Sequence, residues 1–358
     1  MTKPLHIGII GAGAIAQFGH IPGFQKLTDV HVTAVCDTNI ERAREVAAKF
    51  NIPHVYEDYR EIIAHPAINA VTVGLPNALH ATVTQQALAA GKHVMCEKPL
   101  ATTVADGEAM VTAAEQADRI LALNMHQRVR SDTQLLRKTI ADGGLGQIHY
   151  MHIRMMRRNG IPGFGSWFTQ RELSGGGVLM DLGVHVVDLA MWLLDFPQVV
   201  AVRGETRAIH GPRGRGLGGW GVDHMHNGAF EVEDFASLHL RLANGGLITT
   251  EVSWAMYGDN ENRVQVVGDE GGADIFPELH NQSPMRLFRD EHGISMDVYP
   301  HIPRLAGSDW DRSMANFVEA IRNEDRPPAT GAEGLTVLKL LDTAYRSSTE
   351  RKELDIIL

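Results

Sequence analysis

The six residues Gly11-Ala12-Gly13-Ala14-Ile15-Ala16 constrain this chain more than any others. They follow the apolar run His6–Ile10 and open an amphipathic stretch, so a strand must turn sharply into a helix there. Gly11 permits the tight turn, Gly13 leaves backbone uncovered for a phosphate to approach, and Ala16 is small enough for the helix to lie against the strand. The helix start offers unpaired amide donors and a partial positive charge, which suits a pyrophosphate. Asp37 ends the next apolar run, Val30–Cys36, where a carboxylate can accept both hydroxyls of an adenosine ribose. Thr38 and Asn39 follow it, with no Arg or Lys. On this reading nothing local neutralises a 2′-phosphate, and the two signals together predict a dinucleotide site selective for NAD over NADP.

The first third continues in the same alternation: strands at Ala70–Gly74, His93–Cys96 and Ile120–Asn124, and helices at Ile40–Phe50, Ala78–Ala90 and Val104–Ala117. This is the pattern of a doubly wound parallel sheet covered on both faces. The texture then changes. A helix at Ser131–Asp142 leads to alternating segments at Ile148–Met155, Val199–Glu205, Phe235–Leu242, Leu247–Trp254 and Arg263–Gly268, which predict a large, mostly antiparallel open sheet. Helices at Trp310–Asn323 and Gly331–Ser348 close the chain, and the glycine-rich stretch His210–Asn227 reads as a long loop of the kind that often carries function. With 358 residues, 44% of them hydrophobic, two cores are expected. The expected division is a Rossmann domain over 1–125 and an α+β substrate and assembly domain over 126–358, whose last helices can return to the first domain.

A formal charge of −10 disfavours nucleic acid and anionic membrane surfaces as partners. Neither a leader segment nor a run approaching membrane-spanning length is apparent, so a cytoplasmic protein is expected. Cys36 and Cys96 stand in apolar contexts and are expected as buried thiols in a reducing compartment, not as a disulfide.

Two clusters carry chemistry. Glu97-Lys98-Pro99 follows the strand His93–Cys96, which places Lys98 at the carboxyl end of a parallel strand, where open α/β sheets bind ligands. The proline restricts Lys98 to extended geometry and permits a cis peptide. The glycine turn 175–177 opens a helix in which Asp181, His185 and Asp188 stand at i, i+4 and i+7, on one face, with Leu182, Val186, Leu189 and Leu193 on the apolar one. An imidazole with an ordinary pKa of about 6.5 is suited to accept a proton at neutral pH. The residues leave two other readings open, a helix-capping Asp181 beside a core histidine, and a carboxylate–imidazole metal site, to which the two cysteines are not placed to contribute.

Together these residues resemble the Gfo/Idh/MocA oxidoreductases, the glucose-fructose oxidoreductase and inositol dehydrogenase family, over essentially the whole chain. The likeness rests on the glycine turn, Pro76-Asn77-Ala78-Leu79-His80, Glu97-Lys98-Pro99, the Asp181–Asp188 helix and Gly331-Ala332-Glu333-Gly334-Leu335. It implies that Lys98, Asp181 and His185 are catalytic and face substrate and nicotinamide. It places cofactor contacts at Gly11, Gly13, Ala14, Ile15 and Asp37, at Pro76, Asn77 and His80, and at Glu97, Lys98, Asn124 and Arg128. Arg157 and Trp167 are expected to join the catalytic residues around the substrate, as are Arg158 and the loop carrying His224 and His226. No metal is implied.

The resemblance implies an NAD-dependent enzyme that moves hydride between a secondary hydroxyl of a sugar, sugar derivative or cyclitol and the nicotinamide. His185 accepts the proton, Lys98 stabilises the alkoxide and Asp181 orients substrate or imidazole, with Lys98 and His185 both open as the formal base. The alternatives are a glycoside-cleaving enzyme that uses bound NAD transiently and a non-catalytic NAD-sensing regulator. Relatives of this kind assemble as homodimers or homotetramers through the open sheet face.

Overall fold

The structure is a computed structural model, described for residues 4–221, 230–276, 283–303 and 305–357. His224 and His226 lie outside the described residues. The chain divides into two compact units, Met1–Val129 with Ala306–Leu338 and Arg130–Leu305 with Lys339–Leu358.

In the first unit, buried apolar runs form six parallel strands: β1 (Leu5–Ile10), β2 (Val30–Cys36), β3 (His54–Tyr56), β4 (Ala70–Val73), β5 (His93–Cys96) and β6 (Leu121–Leu123). Their order is β3-β2-β1-β4-β5-β6, the doubly wound arrangement whose sense reverses between β1 and β4. The helices that alternate with these strands are α1 (Ile21–Gln25), α2 (Ile40–Phe50), α3 (Tyr59–Ala64), α4 (His80–Ala89) and α5 (Val104–Ala117), and Met314, Phe317 and Val318 from a later helix join the same core. Side-chain caps start α2, α3 and α5. Asn39 accepts the Arg42 amide at the start of α2 and Thr103 that of Asp106 at the start of α5, while Asn51 and Asp118 end these helices in left-handed geometry. Neither β3 nor α3 is legible in the sequence: β3 is three residues long and lacks a fully buried one.

The second unit begins with α6 (Ser131–Ala141) and carries a nine-stranded sheet. In chain order this unit contains β7 (Ile148–Met156), α7 (Arg171–Ser174), α8 (Val184–Leu193), β8 (Val199–Arg207), β9 (Phe235–Leu242), β10 (Leu247–Ser253), β11 (Glu261–Gly268), β12 (Gly272–Ile275), β13 (Met285–Glu291) and β14 (Ile294–Val298). After α9 (Asp309–Asn323) and α10 (Gly331–Glu350), β15 (Leu354–Asp355) returns to pair with β8. All pairs are antiparallel except β7 with β10. Met151 and Ile153 of β7 are buried on one face, while Tyr150, His152 and Arg154 alternate onto a half-buried polar one. There Glu251 takes Arg154 at 2.7 Å and His152 at 3.3 Å, and Arg263 forks onto Asp274.

Every residue of α8 is buried, including His185 and Asp188, so the helix is enclosed all round and not amphipathic. The stretch Arg171–Leu193 is apolar and long enough to cross a membrane by composition alone, against the expectation that no run approaches that length. Its most apolar part is wholly buried within the protein, as a core helix is.

Both cysteines are free and buried. Burial pushes the Cys36 thiol up to about 12, and burial raises that of Cys96 still further. Since the thiolate is the reactive form, Ellman's reagent at about pH 8 is expected to titrate neither thiol in the native protein and both after denaturation. Fast labelling of either native thiol contradicts this packing.

Candidate active site

In the first unit, the candidate cofactor residues gather at the carboxyl ends of β1, β2, β4, β5 and β6. Gly11 has φ +97°, and a Cβ on it would lie 2.3 Å from the Gly74 carbonyl oxygen. No side chain fits at this crossing of β1 and β4. A Cβ on Gly13, by contrast, would meet nothing within 4 Å, so that backbone faces open space suited to a phosphate. Ala14 and Ile15 lead out of the turn. The sequence predicts a regular helix from there; a π-helical turn, Ala16–His20, intervenes before α1. Such turns often mark functional positions.

Asp37 sits at the end of β2, 7% exposed, with Oδ2 accepting the Ala12 amide at 3.0 Å and Oδ1 the Asn39 amide at 2.9 Å. The expectation that no cation lies nearby is corrected here. Arg42, in the first turn of α2, reaches back with Nε 3.0 Å from Oδ2 and Nη2 2.5 Å from Oδ1. Burial alone would raise the Asp37 pKa; the Arg42 guanidinium, with the Asn39 and Ala12 amides, holds it below the usual range.

Glu97 ties three loops together. Its Oε1 lies 2.8 Å from His20 Nε2, in the turn after β1, and accepts Asn124 Nδ2 at 2.7 Å from beyond β6. Burial works to raise its pKa, and the bond and charge of His20, then Asn124 and Lys98, more than reverse that and bring it to about 2. Lys98 is partly buried and its bond to Pro99 is cis. Pro76 precedes a 3-10 turn, Asn77–Leu79, in which Asn77 is buried. His80 is fully buried, Nδ1 2.8 Å from the Pro99 carbonyl and Nε2 3.0 Å from that of Leu75, which places it as a brace between the two loops. Its pKa is lowered by burial, against the pull of both carbonyls. Arg128 is buried too, donating to the Pro328 carbonyl at 2.7 Å and to Glu333 at 3.0 Å. Glu333 in turn makes a capping box with Thr330 at the start of α10.

These residues fit a bound NAD. The uncovered Gly13 backbone suits its pyrophosphate and the Asp37 carboxylate its ribose. Asn124 Oδ1 is a buried acceptor with no hydrogen-bond partner among the described residues, as a contact to a polar group requires.

In the second unit, Asp181 lies in another π-helical turn, Leu179–Gly183, which runs into α8. Regular α periodicity therefore starts at Val184, and His185 and Asp188 share a helical face that the spacing also assigned to Asp181. Asp181 is fixed from elsewhere: Oδ2 accepts Trp254 Nε1 at 2.9 Å, from just past β10. Trp254 is fully buried, and Asp181 and His185 are 8% and 6% exposed. No sequence signal points to Trp254, because its partner stands 73 residues away.

Asp181 is not the helix cap. That role falls to Glu233, whose Oε1 accepts the amides of Gly177 at 2.9 Å and Leu179 at 3.0 Å and the Tyr345 hydroxyl at 2.7 Å. A Cβ on Gly177 would lie 2.0 Å from the Glu233 carbonyl oxygen, so the glycine turn is needed for this close approach. Arg157 and Trp167 belong to one aromatic cluster. Trp167 stacks on Phe168 at 3.7 Å, Phe168 meets Trp220 edge-on, and the Arg157 guanidinium lies 5.7 Å from the Trp220 ring centre. Arg158 donates its amide to Asn260. Among the described residues no three His, Cys, Asp or Glu side chains gather as a metal site would require.

The carboxylate of Glu97 gives a pH dependence. A folded pKa of about 2 lies below the unfolded value of about 4.3. Its stabilising contribution is therefore complete above the unfolded value and lost as pH falls through that range. The melting-temperature gap between wild type and Glu97→Gln is expected to be constant near neutrality and to shrink below about pH 5. A gap that stays level down to about pH 3 would rule out this role for the carboxylate.

Comparison with known proteins matches residues 5–125 to the model of an oxidoreductase family with an NAD-binding Rossmann fold, GFO_IDH_MocA, and 133–274 to the GFO/IDH/MocA C-terminal domain. The chain is 32% identical to D-glucoside 3-dehydrogenase of Escherichia coli (strain K12), over 97% of this chain and 96% of that one. It is 27% identical to myo-inositol 2-dehydrogenase of Thermotoga maritima, over 97% of each. Among solved structures, aldose-aldose oxidoreductase of Caulobacter crescentus, complexed with glycerol, superposes with a TM-score of 0.83 at 27% identity, over 99% of this chain and 100% of that one.

Proposed function

Since the chain belongs to the Gfo/Idh/MocA oxidoreductases, whose first domain binds NAD, we propose that it transfers hydride between a secondary hydroxyl of a sugar, sugar derivative or cyclitol and that cofactor. The observation that carries this reading is the enclosed acid–base set on one helical segment, with Asp181 locked by Trp254 and His185 in the following turn. Full-length similarity to a glucoside and an inositol dehydrogenase supports the substrate class.

Bound NAD supplies the hydride acceptor. The chain's own groups manage the proton and the charge. His185 takes the hydroxyl proton as the carbinol hydrogen leaves with its electron pair, and the Lys98 ammonium stabilises negative charge developing on the oxygen. Asp181, which cannot swing while it holds the Trp254 indole, orients the substrate or the imidazole. Glu233 and Tyr345 fix the start of the segment that carries both. Arg157 and Trp167 supply planar surfaces suited to a polyhydroxylated ring.

The test is formation of reduced nicotinamide absorbance with NAD across a panel of glucosides, free sugars and inositols. On a turned-over substrate, His185→Ala and Lys98→Ala are each expected to lower kcat by about 100-fold or more while NADH still binds. Silence across the panel, or full activity in both variants, rejects the assignment. Cleavage of a chromogenic glycoside without net NADH supports transient oxidation instead.

We also propose that two or four copies assemble through the polar face of the nine-stranded sheet. The half-buried ladder of His152, Arg154, Glu251 and Glu261 supports this, since it offers paired charges that a second copy can cover without stranding them. Light scattering on the purified protein is expected to give a mass two or four times 39.3 kDa, and a monomeric mass at micromolar concentration contradicts it.

A further inference from the structure

The carboxylate of Asp37 offers about four acceptor positions, two on each oxygen. All four are engaged, by the Ala12 amide and Arg42 Nε on Oδ2 and by the Asn39 amide and Arg42 Nη2 on Oδ1. A ribose that binds Asp37 through its two neighbouring hydroxyls needs two of these positions. Ala12 and Asn39 donate from backbone, one in the glycine turn and the other at the cap of α2, and neither can leave without dismantling those turns. Arg42 donates from a side chain that is 46% exposed at the helix start. Arg42 is therefore the donor a ribose replaces.

The displaced guanidinium remains tethered beside the ribose, and that position determines its second effect. A phosphate on the 2′-oxygen sets its negative charge against Asp37, which disfavours NADP(H). A guanidinium released from Asp37 can form a fork with the phosphate and offset that repulsion. For NAD(H) the same residue is a competitor whose ion pair must be broken.

We propose that Arg42 sets how far this enzyme discriminates between the two cofactors: it lets the site accept NADP(H) as a secondary cofactor and weakens the preference for NAD(H). The proposal rests on the assignment of Asp37 to the adenosine ribose, and the experiment separates the two. Full-length wild type, Arg42→Ala, Arg42→Lys and Asp37→Ala are titrated with NADH and with NADPH, following nicotinamide fluorescence, with a thermal melt to verify folding.

Wild type is expected to bind both, NADH more tightly. In Arg42→Ala, NADPH affinity is expected to fall about tenfold while NADH affinity holds or improves, and Arg42→Lys, which keeps the charge without the fork, is expected to fall between. An unchanged preference, equal weakening of both ligands, or wild type that fails to bind NADPH at millimolar concentration overturns the proposal. If Arg42→Ala does not fold, the lysine variant carries the same readings. Asp37→Ala is expected to loosen NADH selectively; if NADH affinity survives that change, the ribose assignment fails, whatever the arginine variants show.

Discussion

A carboxylate taken out of water is costly unless donors converge on it, and each unit of this protein arranges its working loops around one such oxygen. In the first unit it is Glu97 Oε1, which draws together the turn after β1 through His20 and the segment after β6 through Asn124. In the second it is Glu233 Oε1, which gathers two amides of the helix start and the hydroxyl of Tyr345 from α10. Neither residue needs to touch a substrate to matter. Each is placed so that the adjoining side chains proposed for catalysis, Lys98 in one unit and Asp181 and His185 in the other, stand on backbone anchored by these bonds.

The two π-helical turns belong to the same logic. One follows the glycine turn and presents His20 to Glu97, and the other holds Asp181 where the Trp254 indole can reach it. A π turn inserts an extra residue into the helix, which re-aims side chains at the expense of a regular hydrogen-bond ladder. Both turns lie within a few residues of groups assigned to cofactor or proton transfer. Tertiary bonds to Glu97 and from Trp254 offset the weaker ladder, which explains why the irregularity persists there.

Much of this was legible in the sequence because the signals were local. The glycine turn, Val30–Cys36, His93–Cys96, Ile40–Phe50 and Val104–Ala117 carry their own periodicity and caps, and the structure places those four segments with the same limits. What stayed hidden depends on distant partners. Trp254 reads as the last residue of a strand, and nothing local sets Glu233 apart from its acidic neighbours Glu231 and Asp234, until the fold sets Trp254 against Asp181 and Glu233 against Gly177. The π turns were hidden for a related reason, since 3.6-residue periodicity fits the same residues nearly as well. Arg42 stands five residues from Asp37, beyond the two neighbours Thr38 and Asn39 that adjoin the carboxylate in sequence, and it reaches Asp37 only because the first turn of a helix folds its third residue back toward the preceding strand end.

That geometry bears on how cofactor preference is read in folds of this type. An acidic residue at the end of the second strand is ordinarily taken as a complete specification, with selectivity following from its charge alone. Here the carboxylate is one half of an ion pair, so the net charge at this position is closer to neutral than the sequence around β2 suggests. The side chain of Arg42 is half exposed and can move, whereas Asp37 is held by two backbone amides. Selectivity in such a site is a difference between two states of one arginine, paired with the protein or turned toward the ligand, and the fixed carboxylate sets only the reference from which that difference is measured.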